Sequence, residues 1–332
     1  MPKWMKAMLV GTNENLMWTD VPYPTMRDGE VIVEIRAAAV NRADLLQREG
    51  KYPSPPDCPP WMGLEIAGVI VGITDGAKQN SAWQIGDRVC ALLGGGGYAE
   101  YAAVKYDMLM PIPNGLSFEE AASLPEAFAT SYLNLFLEGH LAAGQTLFVP
   151  AGASGLASVA IPMAKAFGAR VITSVLSGEV AERIRYLGAD VIIDTSKEDT
   201  AAVLAREERA GHPVNVAMDC LSGETLGQAL PYMAHGGYWI VISTLAGTET
   251  TVALRPLLNK GLHLVGSKLR NRTPAYKAFI LHELVEKVWC KIEDGTIKPS
   301  IYRVFPMAEA DAAHTLMREG KHNGKLVLRV KA

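Results

Sequence analysis

The stretch with the plainest chemical content is Pro150-Ala151-Gly152-Ala153-Ser154-Gly155-Leu156-Ala157. Small residues at this spacing leave backbone exposed where an anion can approach. If a helix begins there, its unpaired N–H groups and its dipole both favour a phosphate. A pyrophosphate needs that arrangement, because side chains at the same points would block it. Gly152, Ser154, Gly155, Leu156 and Ala157 are therefore candidate contacts for a dinucleotide. Ala157 stands where the pattern has its third glycine, a substitution the pattern tolerates. Context gives the motif its weight, since glycines alone also make ligand-free turns. Thr146–Val149 reads as a strand before it, a helix runs on through about Phe167, and a second strand follows about twenty residues later. Pro162 falls inside that helix and should kink it, at a cost of roughly 3 kcal/mol.

The tip of the second strand is Thr173-Ser174-Val175-Leu176-Ser177-Gly178-Glu179. A fold selective for NAD places Asp or Glu there to hold the ribose 2′-hydroxyl. Ser174 and Ser177 offer hydroxyls and leave room for a 2′-phosphate. Glu179 would repel that phosphate if turned inward. Arg183 stands one turn on, available to a phosphate or to Glu179 as a surface pair. The balance favours NADPH, with NADH as the alternative.

These residues must be held by two kinds of domain. Before about residue 121 short strands and turns prevail: Val31–Val33–Ile35 alternates, and Met62–Ile73 reads as one long strand. Tyr52–Pro60 is a proline-rich loop, Arg42–Arg48 a short helix, and the whole suggests a β-barrel. From residue 122 to 267 strand-like runs alternate with helices, at 146–149, 170–175, 191–194, 214–219, 238–243 and 262–266. That rhythm predicts a doubly wound parallel sheet with its ligand site at the C-terminal strand ends. Residues 268–332 return to mixed structure and end in a strand, Lys325–Val330, that can rejoin the first domain.

The bulk composition bounds the partners. Lys plus Arg is 32 against 35 Asp plus Glu, a formal charge of −3, which gives nucleic acid no basic footprint. Cys58, Cys90, Cys220 and Cys290 are too far apart for a metal knuckle, and reduced thiols in a cytoplasmic protein are expected. The N-terminus has no signal-peptide pattern, and the apolar runs are too short to span a bilayer.

Other segments carry a resemblance: Asn41-Arg42-Ala43-Asp44, Gly63-Leu64-Glu65-Ile66-Ala67-Gly68, Gly86-Asp87-Arg88-Val89, Gly97-Tyr98-Ala99-Glu100-Tyr101, Leu124-Pro125-Glu126-Ala127 with Thr130, and Asn323-Gly324-Lys325. Over nearly its whole length the chain resembles the medium-chain dehydrogenase/reductase superfamily. The likeness is to its zinc-free quinone oxidoreductase (zeta-crystallin-like) branch, and within it to the tumour-suppressor-inducible quinone reductases. The resemblance implies an α/β fold in which a GroES-like β-barrel catalytic domain is joined to a doubly wound Rossmann domain. It also implies a cleft between them and a homodimer. Zinc-dependent relatives carry Gly-His-Glu where this chain has Gly63-Leu64-Glu65, and leucine cannot ligate a metal, so no zinc site is expected.

The resemblance also assigns roles. Asn41 and Asp44 belong near the nicotinamide pocket, although Asn41 also suits a helix N-cap. Tyr52 lines the quinone site in relatives. Thr130, Ser243, Leu245, Gly247, Asn323 and Lys325 match positions at or near the cofactor. The family's 2′-phosphate site uses Ser, Lys and Tyr; Ser177 is kept, the lysine falls at Glu179 or Val180, and the tyrosine at Thr195. The expected reaction is hydride transfer from the nicotinamide to a quinone or another electron-poor acceptor. Two alternatives stand beside it: reduction of an activated C=C bond in an alkenone or enoyl thioester, and a largely non-catalytic cofactor-binding protein with a structural or RNA-binding role.

Overall fold

The computed structural model describes residues 2–330, which divide into two compact units. The first comprises residues 1–129, 273–294 and 299–332; the second comprises 130–272 and 295–298. The rhythm of the sequence places these changes at 121/122 and 267/268.

In the first unit β1 (Trp4–Val10) and β2 (Leu16–Pro22) form an antiparallel hairpin. The larger sheet contains β3 (Glu30–Val40), β4 (Glu65–Ile73), β5 (Arg88–Leu92), β6 (Tyr101–Lys105) and β7 (Leu109–Pro111). In the second unit lie β8 (Thr146–Val149), β9 (Arg170–Val175), β10 (Val191–Asp194), β11 (Val214–Asp219), β12 (Met233–Val241) and β13 (His263–Gly266). The chain then returns to the first sheet with β14 (Ile301–Pro306) and β15 (Lys325–Arg329).

The first sheet runs β14-β15-β3-β4-β5-β7, with β6 also on β3. The long β3 changes partner along its length: residues 30–34 pair with β6 and residues 37–40 with β15, while β4 follows its other edge. Such a change of partner wraps the sheet around a core that includes Met8, Val33, Ile35, Ile66, Tyr98 and Leu328. The expected alternation in β3 is replaced by near-continuous burial, because Ile32 and Ala37–Val40 are covered as well. The strand expected from Met62 begins only at Glu65. Gly63 holds φ +106°, and a Cβ there would lie 2.5 Å from the Tyr98 backbone nitrogen, so the chain turns before it can enter the sheet.

The second unit is a six-stranded parallel sheet in the order β10-β9-β8-β11-β12-β13. Counted from its own first strand, that is 3-2-1-4-5-6, the doubly wound order in which the connections diverge beside the first strand. Phe148, Ile172 and Trp239 anchor its core. The helix after β8, Ala157–Ala166, continues through Pro162. Among the described residues no helix is long and apolar enough to cross a membrane.

Candidate active site

In the second unit the loop after β8 lies where the doubly wound order reverses. Thr173 donates its hydroxyl to the Val149 carbonyl at 2.6 Å, and Gly152 donates its N–H to Ser174 O at 2.9 Å, which clips the loop to the tip of β9. A Cβ at Gly152 would meet Thr173 Oγ1 at 2.4 Å and Ile184 Cδ1 at 2.8 Å, so only glycine allows this approach. Ala151 accepts a left-handed φ of 56° to make the turn. Ser154 N–H returns to Ala151 O, and Ala157 N–H is capped by Ser154 Oγ at 3.1 Å.

Three of the five expected contacts therefore use their N–H groups internally. The N–H groups of Gly152, Ser154 and Ala157 bond within the unit. Among the described residues no protein acceptor takes those of Ala153, Gly155 and Leu156. Three donors ahead of a ten-residue helix fit a diphosphate, aided by the helix dipole.

Further along the same sheet, Asp219 at the end of β11 accepts from the N–H groups of Leu221 (2.8 Å) and Ser222 (2.9 Å) and from Trp239 Nε1 (2.9 Å). Ser222 donates its hydroxyl to Ser243 O, and the N–H groups of Leu245 and Ala246 reach Cys220 O and Leu221 O. Ser243, Leu245 and Gly247 thus stand on a loop stitched to its neighbour, with the Leu245 side chain exposed. Leu245 N–H is already paired, which leaves its side chain as the group facing outward. Thr130 is half-buried, and its carbonyl accepts from Asn134 Nδ2.

In the first unit a buried polar cluster surrounds Asn41. Its Nδ2 donates to Glu65 Oε1 at 2.9 Å, and its Oδ1 accepts from Lys325 Nζ at 2.8 Å. Lys325 also contacts Glu65 Oε1 at 2.7 Å, and Glu126 N–H donates to Glu65 Oε2 at 2.8 Å. Glu65 is wholly buried and Lys325 is 4% exposed. Removing one member of such a pair strands the other charge, at a cost of about 3–5 kcal/mol. The Lys325 ammonium, expected near the cofactor, is paired within this unit with Glu65 and Asn41. Asn323, two residues earlier, is half-buried.

Asp44 is likewise held inside this unit. It is fully buried; one oxygen accepts from Gly63 N–H at 3.1 Å, the other from Asn41 N–H at 2.8 Å and from the Tyr98 hydroxyl at 3.1 Å. Through the Asn41 N–H bond it fixes the start of the helix that carries Asn41. Burial pushes its pKa up to about 6 against the hydrogen bonds that lower it. Tyr98 in turn lies 3.2 Å from His314 Nε2, and burial drives the His314 pKa down to about 3. Asn41 is the N-cap of Arg42–Arg48 by backbone, but its side chain serves Glu65 and Lys325. Tyr52 is half-buried in the loop that follows. Glu65, Tyr98 and His314 had no assigned role from sequence. The signal for His314 was its place beside Ala310, Ala313 and Met317 on the buried face of one helix.

The residues here do not fit a zinc ion. Leu64 carries no donor, and Glu65, the acid beside it, already faces an ammonium that would repel a cation. Among the described residues no group of three His, Cys, Asp or Glu is placed to hold a metal.

Two family models match the chain: one described as an alcohol dehydrogenase GroES-like domain over residues 27–114, and one as a zinc-binding dehydrogenase over residues 187–328. A quinone oxidoreductase-like protein 2 homolog from Nematostella vectensis is 32% identical over 91% of this chain and 82% of its own. The structure of mycobacterial Rv1454c complexed with NADPH covers 98% of this chain and 100% of that one, with 26% identity and a TM-score of 0.84. The polyketide synthase GfsB of Streptomyces halstedii is 31% identical over 94% of this chain, which spans only 5% of that much longer protein.

Proposed function

Because this chain belongs to the quinone oxidoreductase-like proteins of the medium-chain dehydrogenase/reductase superfamily, we propose that it reduces quinones with NADPH and without zinc. The observation that carries this is the set of unpaired N–H groups at Ala153, Gly155 and Leu156, placed at the divergence point of a doubly wound sheet. When bound, the cofactor supplies a hydride. The chain's own residues bind, orient and exclude water. The three amides hold the diphosphate, and Ser177 faces the ribose end. Glu65 and Lys325 fix the plane of the Asn41 amide. The second Nδ2 hydrogen makes a long 3.5 Å bond to Ala39 O, which an acceptor oxygen would displace. Tyr52 donates its hydroxyl to the acceptor oxygen as negative charge grows there. The proton that completes the hydroquinone comes from water or through Tyr52.

A second reading, reduction of an activated C=C bond, is favoured by the likeness to a stretch of a polyketide synthase. The test is a panel of 1,4-quinones and alkenones, followed as loss of nicotinamide absorbance with NADPH and with NADH. The proposal expects quinones to be turned over faster. Faster turnover of alkenones transfers the assignment to the second reading, and no oxidation with any acceptor rejects both.

A further inference from the structure

The family lysine and tyrosine expected at the 2′-phosphate site are missing from this chain, since Glu179, Val180 and Thr195 occupy their places. The fold brings a different lysine to the spot. Asp194 ends β10 directly beside Val175 at the end of β9. The Thr195 hydroxyl and N–H both return to Val175 O, at 3.0 and 2.9 Å, which folds the following residues over the tip of β9. Lys197 N–H then bonds back to Asp194 O, and its ammonium stands 3.4 Å from Asp194 Oδ2. A Cβ placed on Gly178 would lie 3.4 Å from Lys197 Nζ and 3.2 Å from Asp194 Oδ2. The lysine and the carboxylate therefore meet at Ser177-Gly178, which lacks a side chain at the point of convergence.

Two opposite charges at that point have opposite consequences for a nucleotide. A bare Asp194 would accept from a ribose 2′-hydroxyl and repel a 2′-phosphate. Here its Oδ1 already accepts from Ser196 N–H at 3.0 Å and from the Ser196 hydroxyl at 2.6 Å, and Lys197 faces its Oδ2. The lysine offsets the acid and leaves an ammonium, 74% exposed, at Gly178, the residue after Ser177. The other acids at this end are placed elsewhere. Glu198 pairs with Arg206 at 3.2 Å, and Glu179 is exposed on the following helix. Ser177 accepts from Val180 N–H at 3.4 Å as an N-cap, so its hydroxyl hydrogen stays available as a donor.

We infer that Lys197, reaching across from the end of β10, is the residue that selects a 2′-phosphorylated nucleotide, with Ser177 as its partner. This rests on the cofactor reading above, which it makes specific to NADPH. The ammonium of Lys197 and the hydroxyl of Ser177 would both donate to the phosphate oxygens, and Asp194 keeps the lysine at the strand end when no nucleotide is bound.

The test is direct binding, by calorimetry, of NADPH, NADH and adenosine 2′-monophosphate to the wild-type chain, Lys197→Met and Lys197→Arg. Loss of one charged hydrogen bond predicts that Lys197→Met binds NADPH and adenosine 2′-monophosphate about tenfold more weakly. NADH should be unchanged within about twofold, and Lys197→Arg should keep the preference. NADPH binding untouched by Lys197→Met, or equal weakening of NADPH and NADH, overturns the assignment while the cofactor reading stands. A wild-type chain that binds neither nucleotide overturns both.

Discussion

At the residue scale the first unit is organised by charges that sit out of water. Glu65 is held by Lys325, Asn41 and the Glu126 amide, and Asp44 by Gly63, Asn41 and Tyr98. Glu126 is the member whose carboxyl is held by none of these bonds. Burial, then the nearby Glu65 charge, pushes its pKa up to about 8 from an ordinary 4.5. A raised carboxyl pKa means the folded state holds the proton longer than the unfolded one. The contribution of Glu126 to stability is therefore complete below about pH 4.5 and lost as pH rises to about 8. Glu126→Gln, which keeps the shape and removes the charge, should raise the urea midpoint at pH 8 and above, with little change at pH 4. An equal shift at both pH values would show that the side chain acts through packing. The LPEA motif pointed to Glu126 without a role, because its proton affinity depends on a glutamate sixty-one positions away in the chain.

At the scale of elements, the glycine loop works because β8 and β9 bring their ends to it. Glycine at 152 was legible as a small residue in a phosphate pattern. The reason it must be small is Thr173, whose hydroxyl sits where a Cβ would go. Gly152→Val should force the loop away from β9, destabilising the unit by about 1–3 kcal/mol. The displaced amides should weaken NADPH binding by at least about tenfold. Calorimetric titration checks the binding and a urea curve the stability. NADPH affinity equal to wild type would mean the loop does not carry the diphosphate. The same geometry divides the expected amides: a sequence shows which N–H groups can be bare, and the turn decides which of them bond back to Ala151 or Ser154.

At the scale of the whole molecule, the resemblance implies a homodimer, and the second unit has an apolar edge on which that expectation can be tested. β13 is the last strand of its sheet and pairs only with β12 among the described residues. Leu264 on that strand is 47% exposed, and Leu254 and Leu258 on the helix before it are 71% and 81% exposed. An edge strand without lysine or proline, next to exposed leucines, is a template for a second strand. Light scattering should give twice the 35.8 kDa chain mass, and Leu264→Lys should give one chain. A single-chain mass for the wild-type protein would remove the dimer.

The sequence by itself determined the two kinds of unit, the six parallel strands, and the position of the glycine loop, because period and turn chemistry are local properties of the chain. It also placed Asn41 and Asp44 together, four residues of one helix start. Tertiary structure alone decided that Lys325 turns inward to Glu65, that Tyr98 links Asp44 to His314, and that Lys197 arrives at Gly178. These side chains come from distant segments, and a charge's partner is fixed by which strands the fold lays side by side, a quantity no local pattern contains.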